Sequence, residues 1–181
     1  RLAHELATAQ LDRDAARAHM EEAVELARRI GDKRELAAAL NNLAQLHRID
    51  GELDPAEPLY AHAVAIAREI GDRESVAVGL LNLAMVSIGR GSGDRARDML
   101  AEILAIAGEI GSRPVGIGAL DVSAGYGAWR EEWDRAARFF GLSQAQLVET
   151  GLQRDPTDEA FLVPLIDQAR AALGAAFEAL E

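Results

Sequence analysis

The chain has 181 residues, 49% of them hydrophobic but only 4% aromatic, and 36 are alanine. Alanine is the best helix former and the β-branched and aromatic strand formers are scarce, which excludes an all-β fold. The lack of cysteine removes disulfide scaffolds, thiolate zinc sites and cysteine nucleophiles, and 30 acidic against 19 basic residues give a net charge of −11 that repels nucleic acid and anionic membranes. No apolar run reaches the roughly 18 residues of a membrane span, and no signal peptide is visible. The chain begins at Arg1 without a methionine, inside a helical pattern, and is read as a piece of a longer protein.

Sliding the sequence by 40 places Ile30-Gly31-Asp32 on Ile70-Gly71-Asp72 and then on Ile110-Gly111-Ser112. Segment 30–69 matches 70–109 at 16 of 40 positions, and 70–109 matches 110–149 at 11 of 40, without gaps. Such a period marks an array of small units rather than one irregular domain. A half-repeat (1–29) precedes three repeats, 30–69, 70–109 and 110–149. Each repeat reads as two helices. Gly31, Gly71 and Gly111 suit the left-handed residue that ends a helix, and Asp32, Asp72 and Ser112 are good N-caps. First helices are predicted at 33–49, 73–89 and 113–129. Gly51 and the Gly89–Gly93 stretch punctuate the next turn. Asp54-Pro55-Ala56-Glu57 reads as N-cap, proline at the first helical position and an acid soon after, so second helices are predicted at 54–70, 94–110 and 134–150. Helical hairpins with short connections stack because one pair cannot bury its apolar face alone.

Beyond 150 the pattern changes and is read as breaking the period. Asp155-Pro156-Thr157-Asp158 opens a helix whose apolar stripe includes Phe161, Leu165, Ile166, Ala169 and Leu173. Pro164 either kinks that helix or begins it. A last helix is predicted from Ala175. The domain reading is therefore a repeat array over 1–150 and C-terminal capping helices over 151–181.

This pattern resembles the tetratricopeptide repeat. A large residue and a leucine precede a small residue at Leu40, Leu43 and Ala44, and again at Leu80, Leu83 and Ala84. The turn glycine of that family falls on Gly51 and Gly91. Its following aromatic falls on Leu53, Gly93 and Trp133, and only the last is aromatic. The second-helix small residue is Ala56, Ala96 or Ala136, followed by Tyr60, Leu100 or Phe140; the last small position is Ala63, then Ile103 and Ser143. The 40-residue period and the strings Leu40-Asn41-Asn42-Leu43-Ala44 and Ile70-Gly71-Asp72-Arg73 look like the repeat arms of bacterial signal-transduction ATPases, LuxR-type regulators and cyclase-linked regulators. Segments 136–147 and 169–180 resemble the closing part of such arms. The resemblance implies an all-α, right-handed solenoid of antiparallel hairpins with a terminal cap.

Enzyme constellations are missing from the sequence: no phosphate loop, no Gly-x-Ser-x-Gly and no His-Glu-x-x-His. His47 and His62 lie on two helices of one hairpin, but two histidines without a third ligand are read as surface side chains, and no metal or cofactor is expected. Acid pairs such as Glu21/Glu22, Glu52/Asp54 and Glu131/Glu132 fall near turns or on solvated faces and read as solvated charge. The family's groove positions, projected on this chain, give Asn41, Asn42, Gln45 and Arg48 in the first repeat. They give Leu81, Asn82, Met85 and Ile88 in the second, and Asp121 and Trp129 in the third. Asn42 and Asn82 stand one period apart, and an amide offers both donor and acceptor to a guest's main chain. The plainer reading has them bonding within the array. Trp129 is either an aromatic anchor or a packing residue against the terminal helices, and Trp133 is read as structural. Arg48 is the one cation among these positions, which argues against the basic clamp of chaperone-binding arrays. The apolar Leu81, Met85 and Ile88 suit a helix or apolar peptide laid in the groove.

The resulting expectation is a non-catalytic, cytoplasmic protein- or peptide-binding scaffold, the regulatory arm of a larger bacterial signalling or transcriptional regulator. Its guest would be a partner protein, other domains of the parent protein, or the chain's own C-terminal segment. Two alternatives stay open: a self-association module forming a homodimer, and a small-molecule sensor near Met85, Trp129 and the terminal helices.

Overall fold

A computed structural model describes the backbone of residues 2–181 and the side chains of residues 12–181. Arg1, where the half-repeat was placed to begin, lies outside the described residues. All regular structure among them is α-helix: α1 (Leu2–Ile30), α2 (Lys33–Ile49), α3 (Leu53–Glu69), α4 (Arg73–Gly89), α5 (Gly93–Ile110), α6 (Arg113–Trp129), α7 (Trp133–Thr150), α8 (Pro156–Leu173) and α9 (Ala176–Leu180). None of these is long and apolar enough to cross a membrane. The helices form two compact units, Arg1–Gly79 and Leu80–Glu181, and the division falls inside α4.

In the first unit α1 packs on α2 and α2 on α3. Helix α2 begins where the sequence says it should. Gly31 takes φ +78°, and the Asp32 carboxylate accepts hydrogen bonds from the Arg34 and Glu35 amides at 3.0 and 3.1 Å, satisfying two orphan donors of the first turn. Helix α3 begins at Leu53, one residue before the predicted N-cap Asp54. Its N-cap is Glu52, whose carboxylate makes no cap bond because it is held by His47 and Arg17. Asp54 and Pro55 therefore lie in the first turn, where an acid meets the helix dipole and a missing N–H costs nothing. The core is Val24, Leu40, Leu43, Ile66 and small alanines, with Met20, Leu36 and Leu59 at its margin. Ala44 and Ala56 are fully buried, which is the reason for alanine at these positions: the α2 and α3 backbones have no room for more. Gly79 serves the same end, since a Cβ there would meet Val64 of α3 at 2.5 Å.

In the second unit α6 packs on α5, α7 and α8, and α7 on α8 and α9. The small positions recur, with Ala96, Ala124 and Ala136 fully buried, and Gly127 lies so close to α7 that a Cβ would stand 3.1 Å from the Ala136 nitrogen. The turn after α6 departs from its predecessors. Gly51 and Gly91 take φ +75° at their turns, but the third such turn puts Glu131 at φ +61°, a conformation that costs a side-chain-bearing residue about 1–2 kcal/mol. The C-terminal residues do not simply break the period. Helices α2, α4 and α6 start at 33, 73 and 113, and α8 starts at 156; α3, α5 and α7 start at 53, 93 and 133, and α9 at 176. The pair α8–α9 thus stands as a fourth, shortened hairpin, displaced three residues from the spacing of the others. Pro164 sits inside α8 and does not begin it. Leu162, Ile166, Ala169 and Phe177 of the pair close a core over Ala124, Ala128, Ala136, Ala137 and Phe140, and Trp133 is half-buried against it.

Candidate functional site

A cleft of about 180 Å³ opens in the first unit between α2 and the first turns of α4. Its floor is small: Ala37, Ala38 and Ala63. Asn41 and Asn42 project from α2 on one side, and Glu74, Ser75 and Val78 from α4 on the other. Asn41 is half-buried, while Asn42 and Val78 are exposed. The chemistry is that of a polar rim over an alanine floor, with an amide able to donate and accept and a carboxylate able to accept. Gln45 and Arg48 lie further along α2 and do not line this cleft. Arg48 leans onto the hairpin, with Nε 3.4 Å from the hydroxyl of the fully buried Tyr60.

The second-unit residues projected onto the groove are in another environment. Leu81, Asn82, Met85 and Ile88 are all buried, Ile88 to 2% exposure. Asn82 therefore is not an open counterpart of Asn42, although it holds the same register. Leu81 packs against α6, where Gly118 has no room for a side chain, because a Cβ would stand 2.9 Å from Leu81 Cδ1. Leu81, Met85 and Asp121 border a space of about 20 Å³ beside Asp158 and Phe161, room for about one water molecule. Asp121 is 6% exposed and faces inward, ion-paired with Arg154. Trp129 packs neither on the terminal helices nor as an open anchor. Its ring covers Gly93 at the start of α5, where a Cβ would collide with it, and stacks on Tyr126 with centroids 6.1 Å apart. The glycine at the position where the pattern expects an aromatic is thus filled from the other helix.

The first unit thus combines an open polar cleft with close helix approaches at Ala44, Ala56 and Gly79. Residues 3–69 match the tetratricopeptide-repeat family model. No curated protein matches the chain. Tetratricopeptide repeats are generally scaffolds for protein–protein interaction and typically non-catalytic, and the matched stretch includes Asn41, Asn42 and the cleft floor.

At the α2–α3 turn of the matched segment the charges form a clasp. Arg17 of α1 reaches Asp50 at 2.7 Å and Glu52 at 3.1 Å, and His47 Nδ1 lies 2.6 Å from Glu52. The His47 hydrogen bond first, and then that of Arg17, hold the Glu52 carboxyl below its ordinary value of 4.5. His47 is thus engaged with a carboxylate on its own turn, while His62 is exposed. Among the described residues no group of three or more histidine, aspartate or glutamate side chains is placed to hold a metal ion.

Sequence reasoning missed two contributions. Glu74 and Ser75 were read only as the first turn of a helix, yet they form the far wall of the cleft. The available signal was the spacing of the repeat: the cleft between successive first helices takes its far wall from the opening turn of the later one. The other was Arg154, announced only by the extra residues between Gly151 and Asp155.

Proposed function

We propose that the chain is a non-catalytic protein- or peptide-binding scaffold whose guest docks in the α2–α4 cleft of the first unit. The observation that carries this is the exposed Asn42 beside Asn41 over an alanine floor. An alanine floor admits a guest backbone closely, and a pair of amides reads that backbone whatever its side chains. The 40-residue period and the strings around Asn41 and Ile70 support the finer reading: a cytoplasmic regulatory arm of a larger bacterial signalling or transcriptional regulator, with the domain reading of 1–150 as array and 151–181 as cap. A guest then acts by differential affinity for two states of the attached output domain. Other domains of the parent protein are the first trial ligand. Titrated into the wild-type chain and into Asn42→Ala, they are expected to bind the variant about 2- to 13-fold more weakly, the value of one hydrogen bond. Equal affinity for the two would remove the cleft from the reading.

A further inference from the structure

The last junction of the chain differs from the others by an insertion. At 31–32, 71–72 and 111–112 the left-handed glycine is followed directly by the capping residue, but Leu152, Gln153 and Arg154 stand between Gly151 and the N-cap Asp155. These three residues account for the displacement of α8 and α9. The third of them turns inward. Arg154 Nε and Nη2 donate to the two carboxylate oxygens of Asp121 at 2.8 and 2.9 Å, and Nη2 also reaches Ser143 Oγ at 3.2 Å and Gln144 Oε1 at 3.1 Å. Ser143 in turn donates to Asp121 at 2.5 Å. Asp121 and Ser143 stand where the second repeat has Leu81 and Ile103, so the polar exchange at both positions accompanies the insertion that supplies their cation.

We propose that Arg154, Asp121 and Ser143 form a latch that holds α8–α9 as a detachable cap over the end of the α6–α7 hairpin. The surface under the cap consists of Ala124, Ala128, Ala136 and Ala137 around Phe140, with Trp133 and Phe139 at its margin, and the alanines give little apolar area per residue. Pro164 removes a hydrogen bond from the interior of α8, and the non-helical residues 151–153, ahead of Arg154, give a hinge about which Arg154 and the cap move together. The ion pair is the polar edge of a contact whose apolar part is Leu162, Ile166 and Phe177 of the cap over Phe140 and its alanines. The Arg154 and Asp121 side chains are 10% and 8% exposed, and removing either leaves the other as an uncompensated buried charge. Opening relieves that charge by returning it to water, so the latch decides whether Phe140 and the alanines around it are covered. This inference stands apart from the cleft, because every residue in it belongs to the second unit.

Hydrogen exchange on the full chain, read by mass spectrometry, tests it. In the wild type the amides of α8 and α9 are expected to open together and faster than those of α6 and α7. Arg154→Gln is expected to raise exchange in α8–α9 by about 100-fold or more while α2, α3, α6 and α7 stay within about threefold. The double change Asp121→Leu with Arg154→Met removes both charges and is expected to restore much of the protection. Equal acceleration across α6–α9 in Arg154→Gln, or none, would overturn the proposal. So would a double variant as unprotected as the single one. Should Arg154→Gln fail to fold, the wild type alone decides: α8–α9 exchanging no faster than α6–α7 contradicts a detachable cap.

Discussion

The two units carry the same register and use it differently. In the first, Asn42 is exposed at an open cleft, Ala63 is a small residue between helices, and Gly51 makes the turn. In the second, Asn82 is buried, Ser143 is a buried hydroxyl serving an ion pair, and Glu131 makes the corresponding turn in a strained conformation. A repeat thus fixes where a residue stands along its helix, but what covers that place is decided by neighbours outside the repeat. The first unit keeps an open polar cleft at these positions; the second spends them on packing and on holding its terminal helices.

The largest effects should come from the second-unit core. Phe140→Ala removes a ring packed on Phe177 (centroids 6.3 Å apart) and flanked by the Arg154 and Arg170 guanidiniums. It is expected to destabilise by about 3–5 kcal/mol in denaturant melts. A loss under about 1 kcal/mol would mean that the terminal helices do not close on it. Next comes the cap of α2. Asp32→Ala deletes two amide hydrogen bonds and is expected to cost about 1 kcal/mol, whereas Ser112→Ala in the second unit deletes one long bond of 3.5 Å and should cost less. Reversed sizes would show that cap geometry does not rank these helix starts.

Glu131→Gly moves in the other direction. It relieves the positive φ at a price in unfolded-state entropy, and a net gain of about 0.5–1 kcal/mol is expected. No gain would mean that the turn tolerates glutamate without strain. The smallest effect belongs to the first-unit clasp. The folded Glu52 carboxyl titrates below its ordinary 4.5, so its contribution to stability is complete above that value and is lost as pH falls through the lowered one. Melting of the wild type is expected to fall more than that of Glu52→Gln between about pH 5 and about pH 3, with the difference shrinking in salt because the group is exposed. Parallel curves would show that the clasp adds nothing.

Much of the fold was legible because its signals are local. First helices run 33–49, 73–89 and 113–129 as periodicity and capping residues indicate, and Gly31, Gly71 and Gly111 all take positive φ. The second helices α3, α5 and α7 each start one residue before the predicted 54, 94 and 134, because Glu52, Ser92 and Glu132 stand at the N-cap without a side-chain cap bond and the aspartate falls in the first turn. The site was legible in part. Asn41 and Asn42 do line a cleft, since a first-helix face can be projected from spacing alone. The burial of Asn82 and Met85, the cover of Trp129 over Gly93 and the pairing of Asp121 with Arg154 depend on side chains far apart in sequence, and no spacing rule reaches them.

The most direct measurement is a pair of thermal melts, Asn42→Ala beside Asn82→Ala, at one protein concentration and pH. The account predicts that Asn82→Ala lowers Tm by about 2–8 °C, as loss of a buried amide costs roughly 1–2 kcal/mol in a chain of this size, while Asn42→Ala stays within about 1 °C of the wild type. Equal shifts in the two variants would contradict it, because the same register would then carry the same role in both units.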